Sequence, residues 1–141
     1  MDLEMLPFAF IIPVSFIPGI AILIVSTINK RSNIYDAISN YSHRQMPPEE
    51  LILLQEKRLI IIHRILTLLY LAVAFFSLSS FLGGLTINEM DLNQVIMVVL
   101  LCVGILFITV ASFFLIYESH LATKAIIHES ALRRKSLQNH A

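Results

Sequence analysis

Residues 6–29 read LPFAFIIPVSFIPGIAILIVSTIN, and this stretch decides the architecture. It has no charged side chain, and it stops at Lys30-Arg31. An α-helix rises about 1.5 Å per residue, so roughly 20 apolar residues cross the hydrocarbon core of a bilayer. Two more such runs follow. Residues 65–88 read ILTLLYLAVAFFSLSSFLGGLTIN, and residues 92–117 read LNQVIMVVLLCVGILFITVASFFLIY. The expected fold is therefore all-α, with three transmembrane helices.

Composition agrees. Of the 141 residues, 57% are hydrophobic and 14% are charged, where soluble domains carry about a quarter charged residues. One soluble core of this length would not hide so many apolar side chains, so the excess must face lipid or other subunits. The formal net charge is zero, which gives no basic field for nucleic acid. Cys102 is the one cysteine. It has no partner for an intrachain disulfide, and its apolar setting suggests a small buried hydrophobe. Trp is absent, so any aromatic belt would rest on Tyr41, Tyr70 and Tyr117.

The basic residues set the expected orientation. All ten Lys and Arg lie either between Lys30 and Arg64 or in the tail from Lys124 to Lys135. Asp2, Glu4, Glu89 and Asp91 occupy the opposite side with no basic residue among them. The positive-inside rule then places the basic segments in the cytoplasm and the N-terminus outside. An acidic start also argues against a cleaved signal peptide. The chain divides into a first span at about 6–29, a helical cytoplasmic segment at 30–64, a second span at about 65–86, a third at about 93–117, and a helical tail at 118–141.

Between the first two spans, Ser32 or Asn33 is placed to cap a short separate helix with Ile34, Ile38 and Tyr41 on one face. Pro47-Pro48 should end it, and a new helix should start at Pro48 with Glu49 and Glu50 at its positive end. Nothing from Pro48 to Phe81 breaks a helix. That length, about 50 Å, exceeds a bilayer core, so the second helix should extend beyond the membrane. Gly83-Gly84 is expected to end it. Asp91 or Asn93 should cap the third helix, which continues past the membrane with an apolar stripe of Leu121, Ala125 and Leu132 beside Ile127. That stripe needs a partner: the extension of the second helix, the segment from Ser32 to Tyr41, or another subunit.

Few residues suggest chemistry. No phosphate loop or closely spaced Cys/His set is present, and no acid or base lies within a span, which argues against proton-coupled transport. No catalytic residue, cofactor or metal is expected, and an enzyme is the least supported class. Pro13, Ser15, Pro18 and Gly19 are the candidate gate or pore-lining residues. Each proline removes a helical hydrogen bond, and the freed carbonyls near Ala9 and Val14 must be met by hydroxyls, neighbouring helices or water. The plainer reading is a kink packed against other helices. Ser79, Ser80, Gly83 and Gly84, with Gly104 and Ala111, are small residues suited to close helix packing. Arg58, His63, Arg64, Glu118 and His120 form a charge cluster where the second and third helices leave the membrane. Headgroup anchoring is the plain reading, and a lipid site or vestibule is the sharper one. A His63–His120 metal or pH-sensing pair would be a weak inference. Arg64 is the last charge before one span and Glu118 the first after the next, so the two are expected to pair.

Pro18, Asn29-Lys30, the Leu59–Arg64 lead into the second span and Glu118 together resemble a small bacterial membrane family, catalogued as domain of unknown function 2721. This chain differs in the Pro13–Pro18 spacing and has Lys30 where that family has Arg. The resemblance implies a bacterial inner-membrane protein and brings no activity. The layout is also similar to that of proton-driven stator proteins, by topology alone. The expected function is a homo-oligomer in the lipid bilayer, forming a small channel or conduit with the first helix near its axis. The alternative is a non-conducting scaffold or accessory subunit of another membrane protein.

Overall fold

The computed structural model describes residues 6–42, 49–85 and 91–138. They form three helices: α1 (Leu6–Ser42), α2 (Glu49–Leu85) and α3 (Asp91–Gln138), with no strand among the described residues. Each carries a stretch long and apolar enough to cross a membrane. The protein is a three-span membrane protein. Helix α2 is central and packs along both α3 and α1, more extensively along α3.

The packing follows one sequence rule. The face that α2 buries holds Leu51, Gln55, Arg58, Ile62, Ile65, Leu69, Ala72, Phe76 and Ser79, in steps of four and three. Helix α3 answers with Met97, Leu101, Gly104, Ile108, Ala111, Leu115, Glu118, Ala122 and Ala125 in the same steps. Helix α1 contributes Pro13, Ile17, Ile20, Ile24, Thr27, Ile34 and Ile38. A seven-residue repeat of this kind keeps one seam facing its partner along long helices. Neighbours run antiparallel: Ser79 on α2 meets Met97 on α3, and Arg58 meets Glu118.

Three expectations change. Helix α1 runs unbroken to Ser42, so neither Ser32 nor Asn33 caps a separate helix. Capping residues matter only where a helix begins. No Gly or Pro interrupts Asn29–Ile34, and Ile34 packs with Ile62 and Leu66 of α2, so the packed seam carries the helix onward. Gly83 and Gly84 lie inside the last turn of α2, which continues to Leu85. Cys102 is exposed, because it stands one residue past Leu101 on the outward face of α3. The Pro47-Pro48 break lies outside the described residues, and Leu132 of the apolar stripe is within α3 without described side-chain surroundings.

Several hydroxyls on the outward faces are satisfied within their own helices. Ser15 donates to the Ile11 carbonyl at 2.9 Å, Thr109 to Ile105 at 2.9 Å and Ser112 to Ile108 at 2.9 Å. In hydrocarbon this internal bond removes the cost of an unpaired hydroxyl.

Candidate functional site at the membrane boundary

Glu118 directly follows Tyr117, the last residue of α3's uncharged run, and Lys30 directly follows Asn29, the last of α1's. Both therefore stand where helices leave the hydrocarbon. Glu118 is also a seam residue, with only 1% of its surface exposed. A buried carboxylate is costly unless opposite charges and hydrogen bonds surround it.

Arg58 on α2 supplies most of that compensation. Its Nη2 donates to Glu118 Oε1 at 2.8 Å and its Nε to the same oxygen at 3.2 Å. Its remaining terminal nitrogen, Nη1, donates to Gln55 Oε1 at 2.9 Å, one turn earlier on α2. Lys30 on α1 donates to the other carboxylate oxygen, Oε2, at 3.3 Å. One carboxylate thus joins all three helices. The guanidinium is mostly buried, with 13% of its side chain exposed, whereas Lys30 is 44% exposed. The Arg58 contact is therefore the stronger, because water screens Lys30.

The expected Arg64–Glu118 pair is not present. Arg64 is exposed. It follows Arg58 by six residues, which turns it about 240° around the helix and about 9 Å along it. Two residues near the same boundary can share a depth band and still face different ways. The seam repeat, continued back from Leu69 through Ile65 and Ile62, lands on Arg58 and then Gln55. Continued forward from Ala111 on α3, it lands on Glu118. That signal was present in the sequence: opposite charges at core positions of adjacent helices. Lys30 carried a weaker one, as the first charge after α1's span.

The other candidates separate into distinct places. His63 and His120 are exposed, and the described residues hold no group of three or more His, Cys, Asp or Glu able to bind a metal. Farther along the extensions, His128 Nε2 lies 3.5 Å from Glu50 Oε2, so the ends of α2 and α3 run side by side. Ala125, from the apolar stripe, is buried, while Ile127 is exposed. At the other end of the bundle, Ser79 is buried and donates to the Met97 carbonyl at 2.9 Å. Ser80, Gly104 and Ala111 are buried as well, and Gly83 is half-buried. Gly84 has no described side-chain surroundings. Gly104 lies against the Phe76 ring: a Cβ built there would be 2.9 Å from Phe76 Cε1. Phe76 in turn stacks on Phe16 of α1, with centroids 5.5 Å apart.

Of the four candidate gate residues, Pro13 is buried in the chain's own seam, and Ser15, Pro18 and Gly19 are exposed. The helix passes both prolines without a break. Ser15 bonds to Ile11, so its hydroxyl does not repair the carbonyls near Ala9 or Val14.

A family model matches residues 10–127. The chain belongs to the family described as Protein of unknown function (DUF2721). The matched region of this DUF2721 chain includes the second and third spans, the first from residue 10 onward, Pro13 and Pro18, and the Lys30, Gln55, Arg58 and Glu118 centre. No curated protein and no solved structure matches it.

Proposed function

We propose that this protein works as a homo-oligomer in the bacterial inner membrane, with the outward face of α1 at the contact between copies and near the axis of a narrow conduit. One observation carries the reading. Ser15, Gly19, Ile22, Ser26 and Asn29 are all exposed and follow steps of four and three. This second repeat is offset by two residues, about 200°, from the Pro13–Ile17–Ile20 seam. It is small or polar at four of its five positions, a composition suited to close helix approach and ill suited to lipid. A Cβ built on Gly19 meets nothing within 4 Å in the single chain, so the position is open to a second helix.

The basic end faces the cytoplasm in this reading, as the distribution of Lys and Arg favours. A second reading, a non-conducting scaffold, is favoured by Ser15: its hydroxyl is already satisfied by Ile11 and does not require water. Mass measurement in native nanodiscs and ion flux from liposomes separate these. Multiple copies with flux, and loss of both in Gly19→Leu, are expected. Multiple copies without flux would favour the scaffold, and a monomer would overturn the assembly. Orientation is tested in a Cys102→Ser background, where cysteines at Asp2 should react with an impermeant thiol reagent from outside and those at Lys135 should not.

A further inference from the structure

A cavity of about 180 Å³ opens beside the Glu118 centre, lined by Lys30, Asn33, Gln55, Arg58, Glu118 and Ser119 among others. Its charge and hydrogen-bonding balance is one-sided. Two cations face one carboxylate, which leaves one positive charge. Both carboxylate oxygens already accept: Oε1 from two Arg58 nitrogens and Oε2 from Lys30. Donors remain. The Lys30 ammonium has three N–H groups and, among the described residues, one acceptor.

Gln55 is the most informative member. It is 5% exposed. Arg58 is donor-only, so the amide oxygen of Gln55 must be the atom that receives Arg58 Nη1, and this fixes the amide orientation. The amide nitrogen then faces elsewhere, and it has no acceptor among the described residues. No buried side-chain nitrogen or oxygen is left unpaired among the described residues, so this nitrogen retains solvent contact, and Gln55 lines the cavity, where a ligand oxygen can accept from it. The Asn33 amide and the Ser119 hydroxyl likewise have no side-chain bond among the described residues, and both line the cavity. The walls therefore offer N–H and O–H donors with a surplus positive charge. The complement of such a site is an anion rich in acceptor oxygens.

We propose that this cavity binds a phosphoryl group, of the kind carried by an anionic phospholipid headgroup or by inorganic phosphate. Lys30 supplies the charge, and Gln55, Asn33 and Ser119 supply directed hydrogen bonds. Arg58 holds the Gln55 amide in the binding orientation while its own charge is balanced by Glu118. The position is apt for a lipid: Lys30 and Glu118 are the first charges after the apolar runs of α1 and α3, at headgroup depth. Lys30, Gln55, Arg58, Glu118 and Ser119 stand apart from the α1 outward stripe, whereas Asn33 continues it four residues after Asn29, so Ser119→Asp is the variant that tests the site independently of assembly.

The test uses full-length protein in nanodiscs. Thermal unfolding and native mass spectrometry are compared in phosphatidylcholine alone, in phosphatidylcholine with phosphatidylglycerol, and in phosphatidylcholine with added inorganic phosphate. Asn33→Asp and Ser119→Asp place a negative charge in the cavity without removing any member of the ion pairs. Arg64→Ala removes an exposed basic residue elsewhere. Wild type and Arg64→Ala should retain the anionic lipid and unfold at higher temperature with it, while either Asp variant should bind about tenfold or more weakly, the scale of one charge-assisted hydrogen bond. Stabilisation by phosphate alone, lost in the same variants, supports the site with the free anion as its ligand. No stabilisation of wild type by either additive overturns the proposal whatever the variants do, and so does equal binding by wild type and a folded Asp variant.

Discussion

The two ends of the bundle are held by different chemistry. At the basic end, Glu118 joins α1, α2 and α3 through Lys30 and Arg58. At the other end no charge takes part in the described contacts. There α2 meets α3 through the Ser79 hydroxyl on the Met97 carbonyl, and Phe76 fills the space over Gly104 while stacking on Phe16. The difference tracks the solvent. Within hydrocarbon a charge is expensive and a close backbone approach is favourable. At the boundary, water and headgroups make a charged centre tolerable, and its cost is offset by pairing. Both ends set the same antiparallel register, so each is an independent check on the other.

The largest effect should come from breaking the charged end. Glu118→Ala leaves Arg58 mostly buried without its anion, and the expected loss is about 3–5 kcal/mol. Denaturation in mixed micelles would measure it, and a loss under about 1 kcal/mol would mean the centre is solvated in the membrane.

At the uncharged end, Gly104→Ala sharpens the comparison because two general rules give opposite signs. In an open helix the change stabilises by about 1 kcal/mol. Here the new Cβ meets the Phe76 ring at 2.9 Å, and Phe76 is backed by Phe16. Overpacking should win, with a net loss of about 1–3 kcal/mol. The same protocol reads the sign. Gly19→Ala, where nothing lies within 4 Å in the chain, is the matched control for monomer stability.

Ser79→Ala should have the smallest effect. Interhelical hydrogen bonds in membranes are worth about 0.6 kcal/mol on average, so the loss should stay within about 1 kcal/mol. A drop of several kcal/mol would show that this hydroxyl, not the Gly104–Phe76 contact, sets the register there.

Much of this was readable from the chain. Three uncharged runs gave three spans, and the absence of any breaker after Pro48 gave the long α2. Gly104 and Ala111 could be named as packing residues from size alone. The partner of Glu118 was misread because linear rank along the chain, last charge before a span, is not direction around a helix. Only the seven-residue seam carries direction, and it points to Arg58. The continuation of α1 through Ser32 was missed for a related reason: a capping residue is a local signal, and the packing of Ile34 against Ile62 and Leu66 overrides it. A lipid site or vestibule at the Arg58–Glu118 cluster was one reading the chain allowed, but the lining of the cavity needs three helices and the orientation of the Gln55 amide.

The central claim is that Arg58 and Glu118 fix the register of α2 against α3 at the membrane boundary. A double-mutant cycle with Arg58→Ala and Glu118→Ala, run beside one with Arg64→Ala and Glu118→Ala, tests it most directly. The first cycle should show a coupling of about 1.5–3 kcal/mol, the scale of a hydrogen-bonded charge pair, and the second additivity within about 0.5 kcal/mol. Additivity in the first cycle, or coupling that appears only with Arg64, would contradict it.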